Sequence, residues 1–208
     1  MAFRVIQAQQ RQRIVNRHRN AYNSHGFHTN ALHWSSKEYQ YLLFEVLLGI
    51  AVEPGSRVLD FGCGFGDLNG YFAERGIDVD YTGIDLSPEL LNEARYRHPD
   101  ATLFEGDLFE LSPPAQSFDY TFASGSLSEP LEDGGDYTRD TIRLLFESCR
   151  RGCAFNLLDA AHEWTANRFD LQSFNADEMV AWSRTLTPDV ELRRDYAENS
   201  FTLYLRRP

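Results

Sequence analysis

A chain of 208 residues can bury one full core and is short enough to be a single domain. An apolar content of 42% and a charged content of 25% suit a soluble globular protein, and the formal net charge of -11 sets the chain against nonspecific binding to anionic partners, nucleic acid and membrane surfaces alike. Cys63, Cys149 and Cys153 make neither a disulfide framework nor a zinc or redox pair, the spacing of the last two being wrong, so they read as reduced thiols in a cytoplasmic protein without a bound metal.

Residues 3–19 are polar and helix-prone, with Val5, Ile6, Ile14 and Val15 as sparse apolar points. The pattern predicts a loosely attached helix, and its arginines, Arg4, Arg11, Arg13, Arg17 and Arg19, read as a solvated face. Residues 20–35 are rich in aromatics and histidines without a period, the composition of an ordered loop that covers something. Ser35 or Ser36 caps a second helix, whose Tyr39, Leu42, Leu43, Val46, Leu47 and Ile50 recur at three- and four-residue spacing and mark its buried face. Residues 1–50 thus read as a helical cap on a main unit of residues 51–208. The longest apolar stretch, 41–52, contains Glu45 and is too short to span a bilayer.

Pro54-Gly55 turns the chain into the stretch around which the rest is arranged, Arg57-Val58-Leu59-Asp60-Phe61-Gly62-Cys63-Gly64-Phe65-Gly66-Asp67-Leu68. Val58, Leu59 and Phe61 suit a buried parallel strand. Three glycines at alternate positions then suit a turn that lets a ligand approach the backbone, and a helix from about 67 to 75 points its free N–H groups back at that turn. Strands at 79–84, 102–104, 118–123 and 153–158 follow, separated by helices at 88–98 and 136–149. A loop spans 160–175, Asn175 caps another helix, and strands at 190–196 and 201–205 close the chain as a hairpin. The alternation predicts an α/β fold, a Rossmann-like, doubly wound, seven-stranded and mostly parallel sheet with an antiparallel last strand and an N-terminal helical cap. Ligands bind such sheets beyond the carboxyl ends of the strands, which places the glycine turn, Asp85, Asp107, Ser124 and Asp159 along one rim.

The turn has no lysine after its glycines, which excludes a Walker-type phosphate loop. Asp60 and Asp67 on either side of it are a poor setting for a pyrophosphate, whereas Asp85, nineteen residues beyond Gly66 (85 minus 66), can accept both hydroxyls of a ribose. The site wants a ribose, no phosphate, and a cationic group for its carboxylates.

On the motifs Val58-Leu59-Asp60-Phe61-Gly62-Cys63-Gly64-Phe65-Gly66, Gly83-Ile84-Asp85-Leu86-Ser87, Glu105-Gly106-Asp107-Leu108 and Phe118-Asp119-Tyr120, the chain resembles the class I S-adenosylmethionine-dependent methyltransferases. The resemblance implies S-adenosylmethionine as cofactor. It implies that Asp60 and the backbone from Gly62 through Cys63 and Gly64 to Gly66 meet the methionine tail, and that Asp85 takes the ribose. It further implies that Leu86 packs on the adenine, that Gly106, Asp107 and Leu108 border it, and that Ser124 lies between donor and acceptor sites.

Methyl transfer needs no fixed triad, so no catalytic residue is assigned. The acceptor pocket is expected from 22–34, 126–137 and 159–169, with Tyr22, His33, Trp34, Glu129 and His162 as the substrate-binding candidates and the first segment as a lid over the cofactor. The acidic charge and the lack of a separate substrate domain point to a small-molecule acceptor, methylated on O or N. A tRNA or protein acceptor, or binding of the cofactor without transfer, is the alternative. Monomer and homodimer both stay open.

Overall fold

The computed structural model describes residues 6–208. Arg4, Val5 and the expected helix start at residue 3 lie outside them. Helix α1 (Ala8–His25) leads into a 3-10 turn, Thr29–Leu32, and then α2 (Lys37–Leu48). The frame continues with β1 (Ser56–Phe61), α3 (Asp67–Glu74), β2 (Val79–Asp85), α4 (Pro88–Arg97), β3 (Thr102–Glu105), α5 (Leu108–Leu111) and β4 (Phe118–Ala123). It closes with α6 (Asp136–Ser148), β5 (Cys149–Leu158), α7 (Glu163–Ala166), α8 (Ala176–Ser183), β6 (Val190–Arg193) and β7 (Ser200–Arg206).

The seven strands form one sheet in the order β3-β2-β1-β4-β5-β7-β6. β1 pairs in parallel with β2 on one side and β4 on the other, and β7 runs antiparallel to both β5 and β6. The order reverses between β1 and β4, so the crevice at their carboxyl ends is the switch point of the sheet. Side chains that alternate along the strands feed two cores. Val58, Tyr81, Tyr120, Phe122 and Tyr204 face α2 and α3, while Leu59, Phe61, Ile84, Ala123, Phe155 and Leu157 face α6 and α8.

Three expectations need correction. Where a loop was expected from residue 20, α1 continues to His25 and the 3-10 turn occupies Thr29–Leu32, because Asn20 to His25 still propagate an ordinary helix that only Gly26, at φ +61°, terminates. The helix is not loosely attached: Ile14 is buried in the same core as Leu127 and Leu131, Gln10 donates to the Leu131 carbonyl at 2.7 Å, and the arginines reach acidic residues on α4, on α5 and in the loop after β4. On α2 the buried stripe is wider on one side than expected and leaves Leu42 out. Leu43, Val46, Leu47 and, just past the helix, Ile50 are buried as expected, but Gln40 and Phe44 join them and Leu42 is 38% exposed. Smaller differences are the short helices α5 and α7, and the start of β5 at Cys149, where burial of Cys149 extends the strand to the end of α6.

Candidate active site

The glycine turn is constrained in its own backbone. Gly62, Gly64 and Gly66 have φ values of +72°, +54° and +74°, where a side chain is strained. A Cβ on Gly62 would sit 2.2 Å from the Cβ of Ser126, and one on Gly64 would sit 2.9 Å from Leu32. The turn is pinned from the neighbouring strand. The Asp85 carboxylate accepts the Gly64 N–H at 2.9 Å through one oxygen and the Ser87 N–H at 2.8 Å through the other. Each oxygen keeps a lone pair for a further donor. Ser126 Oγ donates to the Phe61 carbonyl at 2.9 Å, which ties the end of β1 to the loop after β4.

Three carboxylates converge behind this turn. Asp60 is 3% exposed and accepts the Tyr81 hydroxyl at 2.6 Å. Burial, with Asp85 and Asp67 adding repulsion against the help of Tyr81, pushes its pKa up to about 7. Burial also raises Asp85 against its backbone donors, and raises Asp67 against the amide of Gln40, which donates to it at 2.9 Å. No lysine or arginine side chain among the described residues hydrogen-bonds these carboxylates. A ligand that brings a positive charge and two hydroxyls fits this set of acceptors, and S-adenosylmethionine brings both.

Next along the rim, Asp107 is buried and caps α5 reciprocally with Glu110, whose carboxylate accepts the Asp107 N–H at 2.8 Å. The Tyr137 hydroxyl donates to Asp107 at 2.9 Å. At the end of β4, Asn156 reaches over from β5. Its carbonyl oxygen accepts the Gly125 N–H at 2.9 Å, and its amide donates to Ser124 Oγ at 3.1 Å.

These residues open on one cavity of about 340 Å³. Asp60, Gly62, Cys63, Gly64, Asp85, Leu86, Gly106 and Ser124 line it, as do three of the acceptor-side candidates, His33, Trp34 and Glu129. Asp107 and Leu108, next in the chain after Gly106, are buried and are not in the cavity wall. Two expected acceptor residues are elsewhere. Tyr22 is not in the cavity wall; its hydroxyl donates to Glu93 of α4 at 3.2 Å and its ring packs on Phe65, because the longer α1 carries it past the rim. His162 is likewise outside the wall, at the N-cap of α7, and Trp164 two residues later lines the cavity in its place. Asp159 also leaves the rim: it accepts Arg194 at 2.8 Å and the Ala161 N–H at 2.9 Å, which fixes the loop after β5.

Other wall residues gave no signal in the sequence. Arg17 and His18 project from α1, and Arg17 pairs with Glu129 at 2.5 Å. Burial, with Arg17 alongside, pushes His18 down to about 4, so its ring is neutral. Asn156 was readable in principle, as a lone amide inside the apolar run 153–158. Among the described residues no group of three or more His, Cys, Asp or Glu is placed to hold a metal ion, and no helix is long and apolar enough to cross a membrane.

The model of a methyltransferase domain matches residues 58–151, the segment that holds the glycine turn, Asp85, Asp107 and Ser124. A Mycobacterium tuberculosis protein named as a methyltransferase is 32% identical over 168 residues, which cover 76% of this chain and 96% of that one. A trans-aconitate 2-methyltransferase of Escherichia coli is 35% identical over 83 residues, 40% of this chain and 32% of that enzyme, so the likeness spans about a third of its length. Among solved structures, a magnesium protoporphyrin IX methyltransferase of Synechocystis with bound S-adenosylmethionine superposes with a TM-score of 0.66 at 16% identity, over 99% of this chain and 100% of that one. An S-adenosylmethionine-dependent methyltransferase of Mesorhizobium loti gives 0.61 at 18% identity, over 80% and 98%. Both share the fold.

Proposed function

The chain belongs to the class I S-adenosylmethionine-dependent methyltransferases, and from that premise we propose that it methylates an oxygen or nitrogen atom of a small-molecule acceptor. The observation that carries the proposal is that a cavity of about 340 Å³ joins the donor rim to Arg17, Trp34, Glu129 and Trp164, since a pocket of this size roofed by α1 suits a compact molecule better than a polymer. Two further points support it. Two of the arginines of α1 that would have formed a basic surface are paired: Arg11 with Glu110 at 2.6 Å and Arg19 with Glu89 at 2.5 Å. Two of the four proteins named above carry small molecules, trans-aconitate and magnesium protoporphyrin IX, in their names.

In this reading, S-adenosylmethionine supplies a methyl group on a cationic sulfur leaving group. Asp85 takes the ribose hydroxyls on its two free lone pairs. Asp60 and the backbone of Gly62, Cys63 and Gly64 meet the methionine tail, and the charge brought there draws Asp60 to its ionised form. Leu86 packs on the adenine, with Gly106, Asp107 and Leu108 around its edge. Helix α1 and the 3-10 turn act as a lid that keeps water out and holds the acceptor at the end of β4, where Asn156 fixes Ser124 and the Gly125 backbone. The rest of catalysis is position.

The test is to incubate the protein with methyl-tritiated S-adenosylmethionine and, separately, a metabolite extract, tRNA and a protein extract. Label in the small-molecule fraction with matching S-adenosylhomocysteine is expected. Label in tRNA or protein, or binding without turnover on all three, would contradict the proposal.

A further inference from the structure

We propose that the methyl acceptor is a carboxylic acid and that Arg17 of α1 binds its carboxylate; this rests on the small-molecule methyltransferase reading above. The cavity wall holds four carboxylates, Asp60, Asp67, Asp85 and Glu129, but among the described lining residues Arg17 is the sole arginine or lysine. Its charge is not spent on Glu129. That carboxylate lies 2.5 Å from Arg17 and 4.0 Å from Arg13, so two guanidiniums share one carboxylate and the trio keeps a net charge of +1 (2 minus 1). Glu129 Oε1 lies 2.5 Å from a terminal nitrogen of Arg17 as an ion pair, yet neither that oxygen nor Arg17 Nε, both buried atoms, has a hydrogen-bond partner, and the Arg17 side chain as a whole is 37% exposed. A buried N–H left unmade is costly, and the edge of a guanidinium matches the oxygens of a planar carboxylate. His18 does not compete for an anion, because its ring is neutral.

Position places this group on the acceptor side. Glu129, which orients Arg17, lies on the loop after Ser124, and Arg13 donates to the Pro130 carbonyl of the same loop at 2.8 Å. Neither guanidinium bonds the glycine turn or the end of β2. Trp34, Leu127, Trp164 and Leu171 complete an apolar wall for an aliphatic or aromatic body.

The chemistry agrees. A carboxylate is already ionised at neutral pH and needs no base. With one oxygen held by Arg17, the other forms the new O–CH3 bond while the S–CH3 bond breaks and its electron pair stays on sulfur. The products are a methyl ester and S-adenosylhomocysteine, and no proton moves.

The experiment measures binding of hexanoate, benzoate and 3-phenylpropionate, each beside its primary amide, to the protein saturated with S-adenosylhomocysteine. At least one acid should bind tenfold or more tightly than its amide. Arg17→Gln should erase that preference while leaving the Kd for S-adenosylhomocysteine within twofold, which also shows that the variant is folded. Glu129→Gln, which frees Arg17, should tighten acid binding several-fold, where a merely structural pair would weaken it. Acids that bind no better than amides overturn the proposal, and so does a tenfold loss of S-adenosylhomocysteine affinity in Arg17→Gln, which would give Arg17 to the carboxylate of the cofactor instead. In the tritium assay, an ester yields volatile label after mild base. Stable label on an amine or phenol overturns this inference alone, whereas label in tRNA or protein overturns the small-molecule reading with it.

Discussion

The donor rim and the helix that roofs it are held by different forces. At the rim, β1 is flanked on both sides by parallel strands, the turn is fixed by three positive-φ glycines, and Asp85 grips the backbone of two segments. Most of these contacts involve main chain. Helix α1 instead makes its attachments by side chains: one buried isoleucine, amide and hydroxyl hydrogen bonds, and arginine pairs to Glu110, Glu129 and Glu89. Pairs of this kind, a third or so exposed, are worth well under 1 kcal/mol each and weaken with salt. The difference teaches how one chain divides its tasks: a rigid frame for a constant cofactor, and an adjustable cover whose residues choose the acceptor.

Gly62→Ala tests the rigid side most severely. The added Cβ meets Ser126 at 2.2 Å in a backbone conformation already unfavourable for alanine. Overpacking and strain together predict a loss of about 2–4 kcal/mol in stability, read by chemical denaturation, with cofactor affinity lost as well. A variant with wild-type stability would show that the frame is softer than described. Asp85→Ala should lower S-adenosylmethionine affinity by about 1–3 kcal/mol, measured by calorimetry, because the ribose loses its acceptor and the Gly64 and Ser87 N–H groups lose theirs.

The next effect is one of pH. Asp60 is raised to about 7 in the folded chain, so its contribution to stability is complete below the ordinary carboxylate range and is lost as pH rises through about 7. The protein without ligand should therefore melt at a lower temperature at pH 8 than at pH 5.5. A cationic ligand favours the ionised form, so S-adenosylmethionine should bind about tenfold more weakly at pH 6 than at pH 8. Asp60→Asn should flatten both trends, and an unchanged slope would remove Asp60 from the site. The smallest effect belongs to the cover. The double variant Glu89→Gln, Glu110→Gln should leave the global melting temperature nearly unchanged but speed amide exchange along α1, as should about 1 M salt in the wild-type chain. Equal protection of α1 and β1 under both conditions would erase the contrast.

The same contrast explains what could be read from the sequence. The strands, their order of appearance and the rim carboxylates were legible because each is written locally: an apolar run, then a glycine or an aspartate, then a cap such as Ser87-Pro88. The antiparallel last strand was legible from the short turn Glu198-Asn199-Ser200 between two apolar runs. The cover was legible as a cap, but its attachments were not. That Arg17 meets Glu129 and Arg11 meets Glu110 depends on packing across about a hundred residues of chain, and nothing in the composition of α1 separates such an arginine from a solvated one. Tyr22 and Trp34 looked alike as aromatics of one segment, yet the helix continues through Tyr22 and turns it to Glu93, while Trp34 packs over Gly125. Asp159 shared the strand-end position of Asp85 but is claimed by Arg194, a residue on the far hairpin that no local pattern links to it.

The division between frame and cover is tested most directly by titrating S-adenosylhomocysteine into the wild-type chain, Asp85→Ala and Arg17→Gln under one set of conditions. A loss of about five- to 150-fold is predicted for Asp85→Ala, the 1–3 kcal/mol given above, and a change of no more than about twofold for Arg17→Gln. Wild-type affinity in Asp85→Ala, or a large loss in Arg17→Gln, would contradict it.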